Sequence, residues 1–314
     1  MKTNVLLFNS CFISERKDKI QHVSPHLRIG VGSIAAYLLE KNISTSIIDP
    51  HADNISEENL IDKIKALNPR FICLPAYTEE IDDAALIAKL IKQHDPQVTI
   101  VIGAYHFSAL PKETMEQYPV FDIGIIGQAE QSLFEIISGK CLSEIKGIAY
   151  RNKGNLVINF DLYEPINMDD LPNIPWNLFN LENYNNILPI EPLRSCPFDC
   201  KFCFRATGKK VNYKSPARFV DELEFYVKEF NIHSFVFSAG SFPLKKTHAI
   251  NICKEIIKRN LVIQWSASTR VDLINDSSML KLMKESGCEE LHLGVESGDI
   301  NILNISNRSE ERRV

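Results

Sequence analysis

The 314-residue sequence contains no apolar run near the about 20 residues that a bilayer span requires. Its opening, MKTNVLLFNS, has only four consecutive apolar residues, too few for a signal-peptide core. Positive charge is not in excess either. The 35 Lys and Arg against 40 Asp and Glu give a net charge of −5, so no basic field recommends nucleic acid or an anionic membrane as partner. Lys209 with Lys210, and Lys245 with Lys246, are isolated pairs that read as solvated surface. No self-similar period marks a solenoid. A cytoplasmic protein, with neither nucleic acid nor membrane as partner, is the expectation.

Cysteine is plentiful, yet a disulfide framework is missing. The eight cysteines fall at 11, 73, 141, 196, 200, 203, 253 and 288. Cys73 and Cys288 sit in or beside apolar runs and read as small buried hydrophobes in a reducing compartment. Only LRSCPFDCKFCF, residues 193–204, crowds three of them, at C-x3-C-x2-C with no fourth nearby. Such spacing points to metal or redox use.

Long irregular stretches are also few. Over residues 1–145, β-rich runs (VLLF, STSIID, RFICLP, VTIVIG, FDIGIIG) alternate with helical patterns (GSIAAYLLEK, SEENLIDKIKAL, DDAALIAKLIKQH, AEQSLFEII). Leu60, Ile61, Ile64 and Leu67 recur at helical spacing behind a start at Ser56. Five nearly all-apolar strands alternating with helices predict an α/β domain with a doubly wound parallel sheet. Residues 146–187 read as a hairpin about Lys153, Gly154 and Asn155, then a proline-rich connector that holds no long helix. From 188 to 314 strand–helix units resume: ILPIEPLR, HSFVFSAG, LVIQWSAS and EELHLGVES are strands, and DINILNIS is a last short helix. Repeated units of this kind build a parallel barrel, but four strands are fewer than the eight of its commonest form. The tail NRSEERRV is charged and supplies no strand. The expectation is an incomplete, apparently truncated barrel, with the edge of its last strand exposed near Leu291 and Val295.

Three thiolates are one too few to close a tetrahedral zinc site, and His233, His248 and Cys253 lack the paired spacing that would complete one. A thioredoxin-like use of Cys200 and Cys203 would leave Cys196 idle. A 4Fe-4S cluster on Cys196, Cys200 and Cys203 accounts for all three and leaves one iron open to a ligand.

With Phe202 before the third cysteine, this motif resembles the signature of the radical S-adenosylmethionine (radical SAM) family. WSASTRVDLIN and MLKLMKESGCEELHLGVESGDINIL resemble the middle of that family's partial TIM barrel. The first half resembles the flavodoxin-like cobalamin-binding domain that precedes the barrel in one large subfamily. The stretches that carry this are PHLRIGVGSIAAYLLEKNISTSIID, VIGAYHFSALPKE, FDIGIIGQAEQSLFEII and DLPNIPWNLF.

The resemblance implies an enzyme whose open iron chelates S-adenosylmethionine and whose cluster cleaves it to a 5′-deoxyadenosyl radical. Methyl transfer to an unactivated carbon, or a rearrangement or cyclisation, would follow. It implies a small-molecule or peptide substrate and an electron donor such as flavodoxin or ferredoxin. By the same resemblance Phe202 lies beside the adenine, Glu296 and Ser297 contact the ribose, and Ser238, Gly240, Ser266 and Arg270 complete the S-adenosylmethionine site. Radical chemistry without cobalamin and an inactive iron–sulfur protein are the alternatives.

Ligands of open α/β sheets bind at the carboxyl ends of the strands. There the chain offers Thr78, Gly103, Ala104, Tyr105, Gly127 and Gln128 to cobalamin, with small residues admitting a bulky corrin to the backbone. Asp49, Pro50 and His51 imitate the start of an Asp-x-His-x-x-Gly cobalt-ligand motif, but position 54 is Asn and the triplet follows the second strand, so the motif is not assigned. Two departures stand out: relatives carry a second glycine where this chain has Ala104, and Gly-x-Gly-Glu where it has Gly127, Gln128, Ala129 and Glu130.

Overall fold

The structure, a computed structural model, describes residues 3–12 and 25–308. Met1, Lys2 and the tail from 309 lie outside the described residues. The chain divides into two compact units, residues 1–165 with 171–185, and residues 166–170 with 186–314.

The first unit is built on a seven-stranded sheet of order β2-β1-β3-β4-β5-β6-β7. Strands β1 (Val5–Phe8), β2 (Thr45–Ile48), β3 (Phe71–Pro75), β4 (Thr99–Gly103) and β5 (Ile123–Ile125) are parallel. Helices α1 (Ile29–Glu40), α2 (Glu57–Leu67), α3 (Ile81–His94), α4 (Ala104–Ala109), α5 (Pro111–Gln117) and α6 (Glu130–Ile137) come between or after them. The strand order reverses direction at β1 and β3, where the chain first goes outward to β2 and then returns. Local chemistry explains the elements. Ser56 caps α2 by accepting from Asn59 N, and Asn68 ends it in the left-handed conformation. The Leu60, Ile61 and Ile64 stripe of α2 is buried.

The expected hairpin is β6 (Ile148–Asn152) and β7 (Asn155–Asn159), turned through Lys153 and Gly154, both at positive φ as a two-residue hairpin loop demands. It lies in the same sheet, β6 pairing antiparallel with β5. The proline-rich stretch forms only short 3-10 turns. Residues 171–185 pack on the first unit. Ile174 fills the space above Gly32 of α1, where a Cβ would come within 2.4 Å of Ile174 Cγ2, and the Tyr184 hydroxyl donates to Asp49 Oδ2 at 2.5 Å.

The second unit holds a four-stranded, all-parallel sheet of order β13-β12-β11-β8: β8 (Ile187–Ile190), β11 (Ser234–Phe237), β12 (Gln264–Arg270) and β13 (Cys288–Gly294). ILPIEPLR, expected as one strand, is two. Pro192 separates β8 from β9 (Leu193–Arg194), which pairs antiparallel with β10 (Asn212–Tyr213) outside the main sheet. The crossovers carry α7 (Pro216–Phe230), α8 (Lys246–Lys258) and α9 (Ser277–Glu285); α10 (Ile300–Ile305) follows β13. One sheet face is apolar and buried: Phe235, Phe237, Trp265 and Ala267, with the Phe237 and Trp265 rings stacked at 4.3 Å. Ser266, Ser268, Glu290 and His292 occupy the other face, in register with one another. Among the described residues β13 pairs only with β12, and Leu293 and Val295 are exposed. No described helix is long and apolar enough to cross a membrane.

Candidate functional site

In the second unit the three cysteines lie on the loop between β9 and β10. The ladder that pairs Leu193 with Tyr213 and Arg194 with Asn212 ties the loop's ends together. Ser195 enters the loop at φ 74°, a strained conformation for a residue with a side chain. Its hydroxyl donates to Thr207 O at 3.0 Å across the loop base. Cys203 N donates to Cys200 O, folding the C-x2-C segment into a turn. Outside the loop, Lys214 and Glu222 form a buried ion pair, Tyr226 adds its hydroxyl to Glu222, and His248 Nε2 contacts Lys214 O at 2.7 Å. Those contacts fix the strand by which the loop leaves.

Gly240, just past β11, meets the loop at Cys196: an added Cβ there would stand 2.9 Å from Cys196 Cβ. Two guanidinium groups meet the loop at Cys200. Arg270 Nη1 is 3.6 Å from its sulfur and Arg308 Nη1 3.5 Å. Arg270 is held by Asp272 and lies over the Phe198 ring at 3.9 Å. Burial, and then the neighbouring Cys200 and Cys196, push the Cys203 thiol up. Asp199 binds Arg205 and Lys209, which pull its carboxyl down to about 2. Among the described residues no three Cys, His, Asp or Glu side chains converge on one point as ligands of a single metal ion do. Thiolates that each hold a different iron of a cubane cluster do not share such a point.

The other sequence-derived residues of this unit are distributed along the sheet. Arg270 ends β12, and Ser238 follows β11, donating its backbone N–H to Ile190 O. Glu296 follows β13 at φ 62°, and Ser297 Oγ accepts from Asp299 N. Phe202 is 58 % exposed. Ser266 shares a face with Arg270 but sits toward the amino end of β12, four residues from the cysteine loop's partner. Phe198 and Arg308 were not singled out from sequence. Phe198 lies between two cysteines, where spacing says nothing of a side chain's role, and Arg308 reads there as part of a charged tail.

In the first unit the carboxyl ends of β3 and β4 present a stacked aromatic pair, Tyr77 and Tyr105, at 5.5 Å and 24°. Arg28 supports it from behind, its guanidinium 4.7 Å from the centre of the Tyr77 ring. Arg28 is buried in an ion pair with Glu80 at 2.5 Å. Burial alone would lower the Arg28 pKa, but the charge and hydrogen bond of Glu80 raise it. Glu80 also accepts from Ser10 Oγ, Cys11 N and Tyr77 N. Thr78 Oγ1 contacts His106 Nδ1 at 3.2 Å. Nothing approaches the missing side chain of Gly103 closer than Ile125 O at 3.8 Å. Ala104 is at φ 73° and Gly127 at φ 77°, and Gly127 N donates to Ser108 Oγ. Gln128 is half-buried beside them.

Asp49 is committed elsewhere. Its Oδ1 accepts from the amides of His51 and Ala52, and its Oδ2 from Asn9 and Tyr184. A carboxylate so used does not orient His51 as a metal ligand.

An α/β unit with a glycine-lined carboxyl edge, followed by a parallel-sheet unit with a three-cysteine loop, defines the class. The model of the B12 binding domain matches residues 22–137, and that of the radical SAM superfamily matches residues 190–314. The chain is therefore a radical SAM superfamily protein with an N-terminal B12-binding domain.

An uncharacterized methyltransferase of Pyrococcus horikoshii is 29% identical over 287 residues, which cover 88% of this chain and 62% of that protein. The anaerobic magnesium-protoporphyrin IX monomethyl ester cyclase of Rubrivivax gelatinosus is 26% identical, over 85% of this chain and 51% of the cyclase. The hopanoid C-3 methylase of Methylococcus capsulatus is 25% identical, over 80% and 49%. The fold matches that of the cobalamin-dependent S-adenosylmethionine radical enzyme OxsB with a TM-score of 0.82 at 22% identity, covering 98% of this chain and 46% of OxsB. The chain thus spans about half the length of these relatives.

The residues present fit both groups. Three thiols on one loop, with two buried guanidinium groups to balance thiolate charge at Cys200, suit a cluster. The open backbone at Gly103 and the flat Tyr77 and Tyr105 stack suit a corrin face.

Proposed function

We propose that this chain is the cofactor-binding part of a cobalamin-dependent radical SAM enzyme, acting in methyl transfer to an unactivated carbon. Cys196, Cys200 and Cys203 are its cluster ligands. The observation that carries this reading is the cysteine loop itself. It is tied at its base, packed on Gly240, and leaves three thiols with no fourth. When bound, the cluster and S-adenosylmethionine supply a carbon radical, and cobalamin a methyl group. The chain's own residues bind and orient. Arg270 and Asp272 fix one wall of the loop, while Phe202 offers an exposed ring for the adenine. Glu296 and Ser297, which follow β13, would contact the ribose, and Ser238, Gly240, Ser266 and Arg270 would complete the S-adenosylmethionine site. In the first unit Thr78, Gly103, Ala104, Tyr105, Gly127 and Gln128 receive the corrin, without a histidine ligand to cobalt.

Cyclisation is the second reading, favoured by the likeness to the cyclase of Rubrivivax gelatinosus. The substrate is a small molecule and the electron comes from a flavodoxin- or ferredoxin-type donor. The test is anaerobic reconstitution followed by dithionite reduction. Replacing any one of Cys196, Cys200 and Cys203 by Ala should abolish the iron–sulfur absorbance. Cys73→Ala, Cys253→Ala and Cys288→Ala should keep it and cost only packing, about 1 kcal/mol or more. Retention of full absorbance by a single cluster mutant would remove the ligand assignment. Absence of corrin binding at millimolar hydroxocobalamin would remove cobalamin.

A further inference from the structure

Cys200 differs from the other two cysteines in what surrounds it. Two guanidinium groups point at its sulfur, from Arg270 at 3.6 Å and Arg308 at 3.5 Å. Cys203 Sγ instead faces the carbonyl of Phe204 at 3.8 Å, and Cys196 packs on Gly240. Neither arginine is a mobile surface cation. The side chains of Arg270 and Arg308 are 4% and 6% exposed. Arg308 Nη2 donates to Gly294 O at 2.6 Å and lies 3.4 Å from Glu296 Oε1. A planar guanidinium with one nitrogen pinned to a carbonyl has its other nitrogen aimed as well. Gly294 makes this possible, since a Cβ there would stand 3.1 Å from Arg308 Nη2.

The backbone around Arg308 is fixed to the same loop. Ser306 O accepts from Lys201 N, Asn307 Nδ2 donates to Asp199 O, and Asn307 turns the chain at φ 61°.

From this geometry we infer that Arg308, acting with Arg270 through the sulfur of Cys200, is a positioning residue that raises the reduction potential of the cluster. The inference rests on the cluster reading above. Reduction by an external one-electron donor adds one negative charge to the cluster. Buried N–H donors and positive charge at a ligating sulfur stabilise that charge more than they would in water. Both guanidinium groups face one sulfur, so their stabilisation would act on a bound cluster through Cys200.

The test is a redox titration, followed by electron paramagnetic resonance, of the reconstituted 314-residue chain and three variants, with iron counted in each. Arg308→Gln should lower the ratio of reduced to oxidised cluster about tenfold at a fixed ambient potential, which is about 59 mV for a one-electron couple. Arg308→Lys, which keeps the charge but not the fork, should fall between. Gly294→Ala leaves Arg308 in place but displaces its guanidinium, and should shift the midpoint the same way by less. If Arg308→Gln fails to fold, the other two variants decide. Three midpoints equal to the parent's at full iron content would overturn the inference. So would weakened S-adenosylmethionine binding with an unmoved midpoint, which would assign Arg308 to that ligand instead. A parent chain that takes up no iron would sink the cluster reading, and this inference with it.

Discussion

Ala104 carries a conformation that its side chain resists. At φ 73° it occupies the left-handed region, which costs a residue with a Cβ about 1–2 kcal/mol. Part of the gain from replacing it is lost because glycine frees the unfolded chain. Ala104→Gly should therefore stabilise the first unit by up to about 1 kcal/mol, measured as a rise in the urea midpoint. It should not weaken corrin binding, because it only clears the edge. A drop in stability would show that the Ala104 methyl makes contacts worth more than its strain. The family resemblance marks Ala104 as a departure from a glycine; that the position is strained is not legible there, since φ is a property of the folded turn. The same holds at Asp49. The sequence shows that its triplet fails the cobalt-ligand pattern, but not that Tyr184, 135 residues later, takes up the carboxylate.

Among the elements, strand and helix identities were largely legible, because burial on both faces writes continuous apolar runs and helical spacing writes stripes. The Leu60, Ile61 and Ile64 stripe and the Ser56 cap appear as read. Misreadings occur where a short element depends on its partner. Leu193 and Arg194 read as the end of a long strand, yet Pro192 has no N–H to continue a ladder, and the two residues pair with β10 instead. β10 itself, two residues long, has no period to detect. The loop so closed depends on contact with the element after β11. Gly240→Ala would drive a methyl to within 2.9 Å of Cys196 Cβ, and overpacking of this sort costs about 1–3 kcal/mol. The expected outcome is reduced iron content after reconstitution with an otherwise folded chain, read by iron assay and far-ultraviolet circular dichroism. Full iron occupancy would mean that the loop moves aside without cost to its ligands.

At the scale of the whole molecule, the two-unit organisation is visible in the alternation of strands, but the extent of the first unit is not. Hairpin chemistry at Lys153 and Gly154 identifies β6 and β7 without saying that β6 joins β5. Prolines mark residues 171–185 as irregular without saying that they pack back on α1 and β2. A fragment of residues 1–145 would lose both β6 and the Tyr184 bond to Asp49, while residues 1–185 keep them. The longer fragment should unfold cooperatively with protected amides in β1, β3 and β4, and the shorter one should show little protection. Equal protection in hydrogen exchange would mean that the five parallel strands suffice alone.

The contact between Arg308 and Cys200 joins residues 108 positions apart. During synthesis at about 5–20 residues per second, Arg308 is made roughly 5–20 seconds after Cys200. Within that interval β10 and Gly240 are made first, Arg270 next, and Arg308 last. On the proposed cluster reading, loading would then be a matter of timing as well as of ligands, since a cluster delivered early would meet a loop still missing one of its guanidinium charges.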